Sequence, residues 1–386
     1  MPVTDLFPRG QTAIVGAATF GVGESPGFSN FDLATHASVR ALAQAGLRVS
    51  DVDGLFVVIM DESLAGINFS EYLGIQPRFS DNCRTGGSSF QIHAHIAALA
   101  LVAGQCDVAL IAYGSNQRSN TGKLVQSSRP SPWEQPYRPM RPISSYALAA
   151  ARHMHEFGTT REQLGEVSLA ARRWAQLNPE AFAREPLTMA DYLTARMVAD
   201  PLSVRDCCLV TDGAAAVVMV RADRARDLCK RPAYLLGAAH EITHREIANM
   251  PSLTVTGAAE ASRRAYAQAE IKPSDVDVVE LYDAFTINTI LFLEDMGFCP
   301  KGEGGRFVAD GAIAPGGRLP VNTNGGGLSY CHPGMYGLFT MVEGTRQIFG
   351  ECGERQISGV DIALAQGNGG ELSSEAVVIL GSPETL

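Results

Sequence analysis

The sequence predicts a duplicated α/β protein, in which each half carries strands that alternate with helices. Residues 37–53 (ASVRALAQAGLRVSDVD) and 261–277 (ASRRAYAQAEIKPSDVD) are identical at 11 of 17 positions, at a constant offset of 224. Each copy leads into an apolar segment typical of a buried strand, at residues 54–60 and 278–285. This shared order indicates a structural duplication with pseudo-twofold symmetry.

Further elements follow in both halves. After the first strand, a glycine-rich turn leads into a predicted helix at 91–105 and a strand at 107–114. In the second half, residues 279–298 read as a strand that runs into an amphipathic helix. Residues 364–380 read as two strands separated by a glycine-rich turn. Strands that alternate with helices favour parallel sheets covered on both faces.

Residues 115–206 interrupt this pattern. Their first part is rich in Ser, Pro and Arg, as in long surface loops, and helices are predicted at about 145–157 and 161–176. Such a segment either covers a substrate or forms an arm to another subunit. The predicted division is an N-terminal half, an insertion and a C-terminal half: residues 1–114 with 207–235, residues 115–206, and residues 236–386.

Composition limits the partners and the compartment. The net charge of the 386-residue chain is −10 and no basic stripe is present, which argues against a nucleic-acid partner. No apolar run approaches the roughly 18 residues that a membrane span needs. The cysteines are scattered without a CxxC pair, so we expect reduced thiols and no metal site. The sequence thus predicts a globular cytoplasmic protein.

Cys83 is the first candidate for chemistry. It follows a short extended segment and precedes the glycine-rich turn before the helix predicted at 91–105. The N–H groups and the dipole at a helix N-terminus lower the pKa of a thiol, which favours the nucleophilic thiolate. The alternative is a small packed residue, since buried cysteines are common.

Two further candidates lie in the second half. His332 precedes a proline in the segment 319–334 (LPVNTNGGGLSYCHPG), and such a residue is held outside the helical region. Its ring could therefore be aimed as the general base of a thiol, although a lone histidine can also be purely structural. Tyr282 and Asp283 end the strand of the second copy, where α/β proteins place functional groups.

These motifs resemble those of the thiolase superfamily and, within it, the sterol-carrier-protein-type (lipid-transfer-protein-like) thiolases. Cys83-Arg84-Thr85-Gly86 matches the Cys-x-[Ser/Thr]-Gly turn of the family. Asn322-Thr323-Asn324-Gly325-Gly326, followed by five residues and His332-Pro333, matches its histidine motif. The resemblance covers essentially the whole chain and implies a duplicated thiolase fold with five layers, α-β-α-β-α, here with a loop and helical insertion.

The resemblance also implies roles for residues. Cys83 would accept the acyl group of a CoA thioester, His332 would activate it, and Tyr282 would serve the oxyanion or enolate site. The substrate-binding residues would be Asn324, Gly325, Gly326, Gly369 and Gly370. CoA and acyl-CoA are then substrates, with no permanently bound cofactor, and a homodimer or tetramer is expected. Separately from the resemblance, Arg118, Lys123 and Arg129 of the 115–142 loop are candidates for phosphate contacts because they are basic, and the alternative for each is a solvated loop charge.

The chain differs from this family in the motifs that carry its acid/base residues. Common thiolases carry Asn-Glu-Ala-Phe and the sterol-carrier type carries His-Asp-Cys-Phe, whereas this chain has Tyr282-Asp283-Ala284-Phe285. The C-terminal Cys-x-Gly-Gly turn is replaced by Gly367-Asn368-Gly369-Gly370. Both usual acid/base cysteines are therefore absent, and Cys331 is a candidate substitute.

Three functions follow from these matches and departures. The favoured one is a thiolase-like acyltransferase that forms an acyl-cysteine at Cys83. The second is a retro-aldolase on a 3-hydroxyacyl-CoA of the steroid side-chain type, because a tyrosine at position 282 resembles the lipid-transfer-protein-like aldolases. Those enzymes work with a small OB-fold/zinc-ribbon partner. The third is a thiolase-fold protein that binds CoA esters without catalysis.

Overall fold

The computed structural model describes residues 7–122 and 132–386. Its strands are β1 (Thr12–Gly23), β2 (Gly54–Val58), β3 (Phe79–Asp81), β4 (Ala109–Ser115), β5 (Met197–Ala199), β6 (Leu202–Ser203), β7 (Asp212–Arg221), β8 (Ala233–Ile242), β9 (Val278–Glu280), β10 (Ile362–Gly369) and β11 (Ser374–Gly381). Within the described residues, nine of them form one sheet in the order β3-β2-β4-β7-β1-β8-β11-β10-β9, and β5 pairs with β6.

The helices pack on this sheet and in the insertion. They are α1 (Asn30–Gln44), α2 (Ala65–Leu73), α3 (Ser89–Val102), α4 (Gln117–Thr121), α5 (Ile143–Phe157), α6 (Arg161–Gln176), α7 (Met189–Leu193), α8 (Ala222–Leu228), α9 (Ala258–Ala269), α10 (Thr286–Asp295), α11 (Gly304–Val308) and α12 (Gly337–Phe349). In these described parts of the chain, no helix is long and apolar enough to cross a membrane.

The predicted duplication is confirmed. The strand order is mirrored about the pairing of β1 with β8, where Ala13 lies opposite Tyr234. The helices α1 and α9, which carry the repeated sequence, pack on β1 and β8 respectively. Two short helical turns, Val49–Asp51 and Pro273–Asp275, then lead into β2 and β9 at the offset of 224.

The repeated Ser-Asp-Val-Asp motif has the same structural role in both halves. Its first aspartate caps the short turn: Asp51 accepts from the N–H of Arg48, and Asp275 from the N–H of Lys272, each at 2.8 Å. Its second aspartate holds the chain at the start of the neighbouring strand. Asp53 accepts two backbone N–H groups just before β4, and Asp277 accepts two at the start of β10. The two aspartates of the motif therefore make the same pair of contacts, one to the turn and one to the neighbouring strand, in each half.

Among the strands that the structure describes, those of the two halves meet only at the short β1–β8 pairing, so the single sheet supplies both β layers of the predicted α-β-α-β-α order. α3 and α12 contact each other and pack between the strands of the two halves, while α1 and α9 pack against the strands from outside. The sheet is mixed, so the expectation of parallel sheets is wrong in part. Only β2 with β3 and β4, and β9 with β10, are parallel. β10 and β11 are joined by a tight turn, and such a connection requires antiparallel pairing.

Most other element predictions are confirmed. α3 covers most of the helix predicted at 91–105, and β4 most of the strand predicted at 107–114. The strand predicted at 278–285 is shorter than expected: β9 ends at Glu280, and Tyr282 and Asp283 lie in the loop between β9 and α10, where the chain leaves the sheet. In the insertion, α5 and α6 match the helices predicted at 145–157 and 161–176.

Candidate active site

A cavity of about 630 Å³ lies where the two halves meet the insertion. The turn that leads to α3 contributes Thr85, Gly86 and Gly87, and the insertion contributes Tyr146 from α5. The second half contributes further lining residues, which include Tyr282, Phe285, His332, Asn368 and Gly370. The site is thus assembled from residues that lie far apart in the sequence.

Tyr282 and His332 form a pair in the lining of this cavity. Tyr282 Oη lies 3.0 Å from His332 Nε2, and the two rings meet edge to face. The backbone N–H of His332 donates to the hydroxyl of Thr211 at 3.1 Å. Its Nδ1 has no hydrogen-bond partner among the described residues, so the ring is oriented through Nε2 and the backbone.

Burial sets the charge of both members of this pair. Desolvation lowers the pKa of His332 to about 4, which leaves the imidazole neutral at pH 7. Desolvation also raises the pKa of Tyr282 well above its usual value, with smaller contributions from neighbouring titratable groups. At neutral pH the site therefore holds a neutral phenol against a neutral imidazole, and the imidazole can accept a proton.

Tyr282 is positioned from both sides. Its backbone N–H donates to Gln366 Oε1 at 3.0 Å, which ties the end of β9 to β10. Its ring rests on the glycine-rich turn of the first half, where a Cβ on Gly87 would lie 1.9 Å from the ring carbon Cε2. Any side chain larger than hydrogen at position 87 would displace the phenol.

The loop that carries His332 is fastened to β9. The N–H of Leu281 donates to Asn322 Oδ1 at 2.6 Å, and the hydroxyl of Thr323 lies 2.8 Å from carboxylate oxygens of both Glu280 and Glu343. Asn322 and Thr323 of the histidine motif therefore hold this loop to β9.

A buried charge cluster supports these contacts. Arg355 binds both carboxylate oxygens of Glu343, at 2.8 and 3.0 Å. The neighbouring Arg355 lowers the pKa of Glu343 although burial opposes this, while burial and the charge of Glu343 raise the pKa of Glu280. The cluster thus combines the Glu343–Arg355 ion pair with a Glu280 carboxyl whose protonated form is favoured by burial and by the charge of Glu343.

Asp283 supports the turn before His332. It accepts the N–H of Gly327 at 2.5 Å, and its other oxygen lies where a Cβ on Gly326 would stand, at 2.0 Å. Gly326 also has a φ of +64°, in the region that favours glycine. Burial raises the pKa of Asp283 to about 7. The glycines of the motif are therefore needed for this close approach.

Cys83 lies apart from this pair. α3 begins at Ser89, six residues later, so the expectation that Cys83 stands at the helix N-terminus is wrong. The side chain is exposed, and it is not among the described residues that line the cavity. Partial desolvation of the sulfur and then the charge of Asp81 raise its pKa. The thiol therefore lacks the environment that would make it a thiolate, and its role as nucleophile stays a prediction.

The remaining predicted residues divide into two groups. Gly370 lines the cavity, and Gly369 packs directly on the carbonyl of Thr85. Asn324, whose Oδ1 accepts from the N–H of Gly326 at 2.8 Å, lies behind the lining together with Gly325. Their role in substrate binding stays a prediction.

Two other sets of candidates lie elsewhere. Arg118 pairs with Glu24 at 2.6 Å and is not among the described lining residues. Lys123 and Arg129 lie outside the described residues. Cys331 is fully buried, and burial raises the pKa of its thiol well above the usual value. In the described lining, basic side chains come instead from Arg84, Arg141, His244 and Arg245.

Sequence reasoning missed Tyr146 and Asn368. Both are buried, at 2% and 3% exposure, and both line the cavity. Asn368 stands in the glycine-rich run at the end of β10, and its place in that run was a usable signal. Nothing in the local sequence marks Tyr146, because its position depends on how α5 packs over the second half.

The family comparisons agree with the fold. The model of the family "Thiolase C-terminal domain-like" matches residues 239–382. The 17-hydroxy-3-oxo-4-pregnene-20-carboxyl-CoA lyase of Mycobacterium tuberculosis is 35% identical, over 96% of this chain and 99% of that protein. The acetyl-CoA acetyltransferase of Methanothermobacter thermautotrophicus is 33% identical over the same shares.

A solved structure, that of an Ltp2-ChsH2(DUF35) aldolase, is similar across the whole chain. It superposes with a TM-score of 0.88 at 32% identity. The superposition covers 97% of this chain and 98% of that chain.

Proposed function

Because the chain belongs to the thiolase superfamily, we propose that it cleaves a carbon–carbon bond in a 3-hydroxyacyl-CoA thioester. The observation that carries this proposal is the buried Tyr282–His332 pair, which faces a cavity whose described lining leaves out Cys83. Acyl transfer needs a thiolate next to the base, whereas a retro-aldol reaction needs only a base at the hydroxyl and donors at the thioester.

The proposed reaction moves one proton and breaks one carbon–carbon bond. The phenol of Tyr282 takes the proton of the substrate 3-hydroxyl as it passes its own to Nε2 of His332. The C2–C3 bond then breaks, and C3 becomes the carbonyl carbon of an aldehyde or ketone. The two electrons of the broken bond remain on the C2 side and form the enolate of the shortened thioester. The proton returns through Tyr282 to C2, which releases an acyl-CoA.

The neutral imidazole is central to this scheme. A histidine with a pKa of about 4 is unprotonated at pH 7 and can accept the relayed proton. Inside the protein, where charges are less screened than in water, the imidazolium that forms is stabilised by the enolate that forms at the same time. Arg84 and Arg245, exposed at the cavity, would meet the phosphates of CoA.

A partner and an oligomer belong to the proposal. The solved Ltp2-ChsH2(DUF35) aldolase is named as an assembly with a DUF35 protein, and we extend to this chain a small partner of that kind. We also propose a homodimer or tetramer, as the family resemblance implies.

Acyl transfer is the second candidate. It is favoured by the Cys83-Arg84-Thr85-Gly86 turn, whose last three residues line the cavity, and by the similarity to an acetyl-CoA acetyltransferase. In this candidate, movement of the turn would bring the thiol to His332.

Product analysis separates the candidates. The chain, alone and with a co-expressed DUF35-type protein, is incubated with 3-hydroxyacyl-CoA and 3-oxoacyl-CoA substrates, and the products are identified by mass spectrometry. We expect a carbonyl product and a shortened acyl-CoA without added CoA, both in the wild type and in Cys83→Ala. CoA-dependent acyl transfer with an acyl group on Cys83 would contradict this in favour of the second candidate. Binding without turnover of either substrate would point to a non-catalytic binder.

A further inference from the structure

A second polar pair lies in the cavity and has no part in the proton relay. Tyr146 of α5 and Asn368 of β10 meet there: Asn368 Nδ2 donates to Tyr146 Oη at 2.9 Å, and the phenol donates to the carbonyl of Gly370 at 3.2 Å. The ring of Tyr146 stacks on Phe285, with centroids 4.3 Å apart. The insertion thus supplies one member of the pair and the C-terminal half supplies the other.

The carboxamide oxygen of Asn368 is left without a partner. Asn368 is 97% buried (3% exposed), and its Oδ1 has no hydrogen-bond partner in the part of the chain that the structure describes. Its backbone is paired with Glu375 in the hairpin, and its Nδ2 is held by Tyr146. The oxygen therefore has a set orientation, and a buried acceptor in this state is costly unless a ligand donates to it.

Neighbouring contacts hold the start of α5, and with it Tyr146, in place beside Asn368. The hydroxyl of Ser145, next to it on α5, donates to the carboxylate of Glu371. Arg141, just before α5, pairs with the same carboxylate at 3.7 Å. Both contacts tie the start of α5 to the turn between β10 and β11, so the Tyr146–Asn368 pair is held in place from both of its elements.

We propose that Asn368, oriented by Tyr146, recognises the 3-hydroxyl of the substrate and selects 3-hydroxyacyl-CoA against 3-oxoacyl-CoA thioesters. A hydroxyl can donate to Asn368 Oδ1 in the bound substrate and then turn about its C3–O bond to give the same proton to Tyr282. A 3-oxo group can only accept hydrogen bonds. At this contact it would therefore leave both its own oxygen and Asn368 Oδ1 without a donor. This inference rests on the proposed function in one respect, that the cavity takes acyl-CoA thioesters.

Binding measurements test the selection without relying on turnover. The probes are 3-hydroxybutyryl-CoA (each enantiomer), acetoacetyl-CoA and butyryl-CoA, which differ only at C3, and the dissociation constants come from calorimetry. We expect the chain to bind one 3-hydroxy enantiomer about 10- to 100-fold more tightly than acetoacetyl-CoA. The Asn368→Leu variant should lose this preference while its affinity for butyryl-CoA changes little.

Two further variants keep the test decisive. Tyr146→Phe removes one hydroxyl and keeps the stacking, so it should reduce the preference even if Asn368→Leu fails to fold. Tyr266→Phe is the matched control, a buried tyrosine outside the described lining whose hydroxyl donates to a backbone carbonyl at 3.1 Å, and it should keep the preference. An unchanged preference in both Asn368→Leu and Tyr146→Phe would overturn the inference.

The two proposals fail separately. Repeating the binding series in Tyr282→Phe removes the relay, and the 3-hydroxy preference should persist there. A preference without any cleavage by the wild type would contradict the proposed function and leave this inference standing. Cleavage without a preference would overturn this inference alone, and failure of every probe to bind would overturn both.

Discussion

Cys83 and His332 occupy corresponding places in the two halves, and their surroundings are opposite. Each lies a few residues before the central helix of its half, α3 at Ser89 and α12 at Gly337. His332 is 3% exposed and hydrogen-bonded inside the cavity, whereas Cys83 is exposed and lies outside the described lining. The comparison teaches that duplication of a scaffold does not duplicate the environment of its reactive groups.

The contacts of the two loops explain the difference. The loop of His332 is fastened to β9 through Asn322 and Thr323, and a buried charge cluster stands behind it. At Cys83 itself, the backbone N–H donates to Asp81 and the carbonyl lies 3.0 Å from His93 Nε2, while the side chain stays exposed. Desolvation makes the imidazole a neutral base in one loop, while in the other it leaves the thiol protonated.

The largest expected effect comes from the relay itself. Tyr282→Phe and His332→Gln should each lower kcat/KM for cleavage by about 10²- to 10⁴-fold, because each removes a group that carries the proton. The measurement is product formation from a 3-hydroxyacyl-CoA, with circular dichroism to check folding. Tyr266→Phe is the control. A loss below tenfold in both variants would contradict the assignment of the relay.

The next effect tests the fastening of the His332 loop. Arg355→Met leaves Glu343 as a buried charge without its partner, and breaking such a pair costs about 3–5 kcal/mol of unfolding free energy. Denaturant unfolding measures this. Arg263→Met breaks an exposed pair, in which the side chains are 67% and 45% exposed, and should change stability by no more than about 0.5 kcal/mol. Equal effects of the two substitutions would show that the buried Glu343–Arg355 pair stabilises the protein no more than an exposed pair does.

The pH dependence of cleavage tests whether His332 is desolvated, which is the feature that separates it from the exposed Cys83. The relay needs a neutral His332, and burial lowers its pKa to about 4. Cleavage should therefore persist as pH falls below 6.5 and should decline only as pH approaches 4. Asp283, whose pKa burial raises to about 7, is a separate group, so Asp283→Asn should leave this acid limb in place. An acid limb near pH 6.5 would show that the imidazole is not desolvated during the reaction.

The smallest effect is expected at Cys83. Cys83→Ser should change kcat/KM for cleavage by no more than about threefold, because substitutions of exposed residues away from a site usually change free energies by about 0.5 kcal/mol or less. The same substitution would abolish transfer through an acyl-cysteine. Loss of cleavage in this variant would show that the loop closes over the cavity and that the two loops act together.

The sequence alone determined the duplicated scaffold. The Ser-Asp-Val-Asp copies at an offset of 224 indicate two equal units, and the structure shows why both copies are needed, since their aspartates cap a turn and hold a neighbouring strand in each half. These are contacts set by local chain geometry and by strand order. The spacing between the Asn-x-Asn-Gly-Gly run and His332 likewise follows from the chain, because it spans one fastened loop.

Tertiary structure decided which reactive residues meet. Tyr282, His332 and Asn368 converge from separate elements, and Tyr146 reaches them only because α5 of the insertion packs over the second half. Tertiary structure also decided the solvation of the reactive groups. Cys83 lies in a turn that matches a family motif, yet its exposure depends on what packs over its loop. Burial is a property of everything that packs around a group, and it sets the pKa on which the chemistry depends.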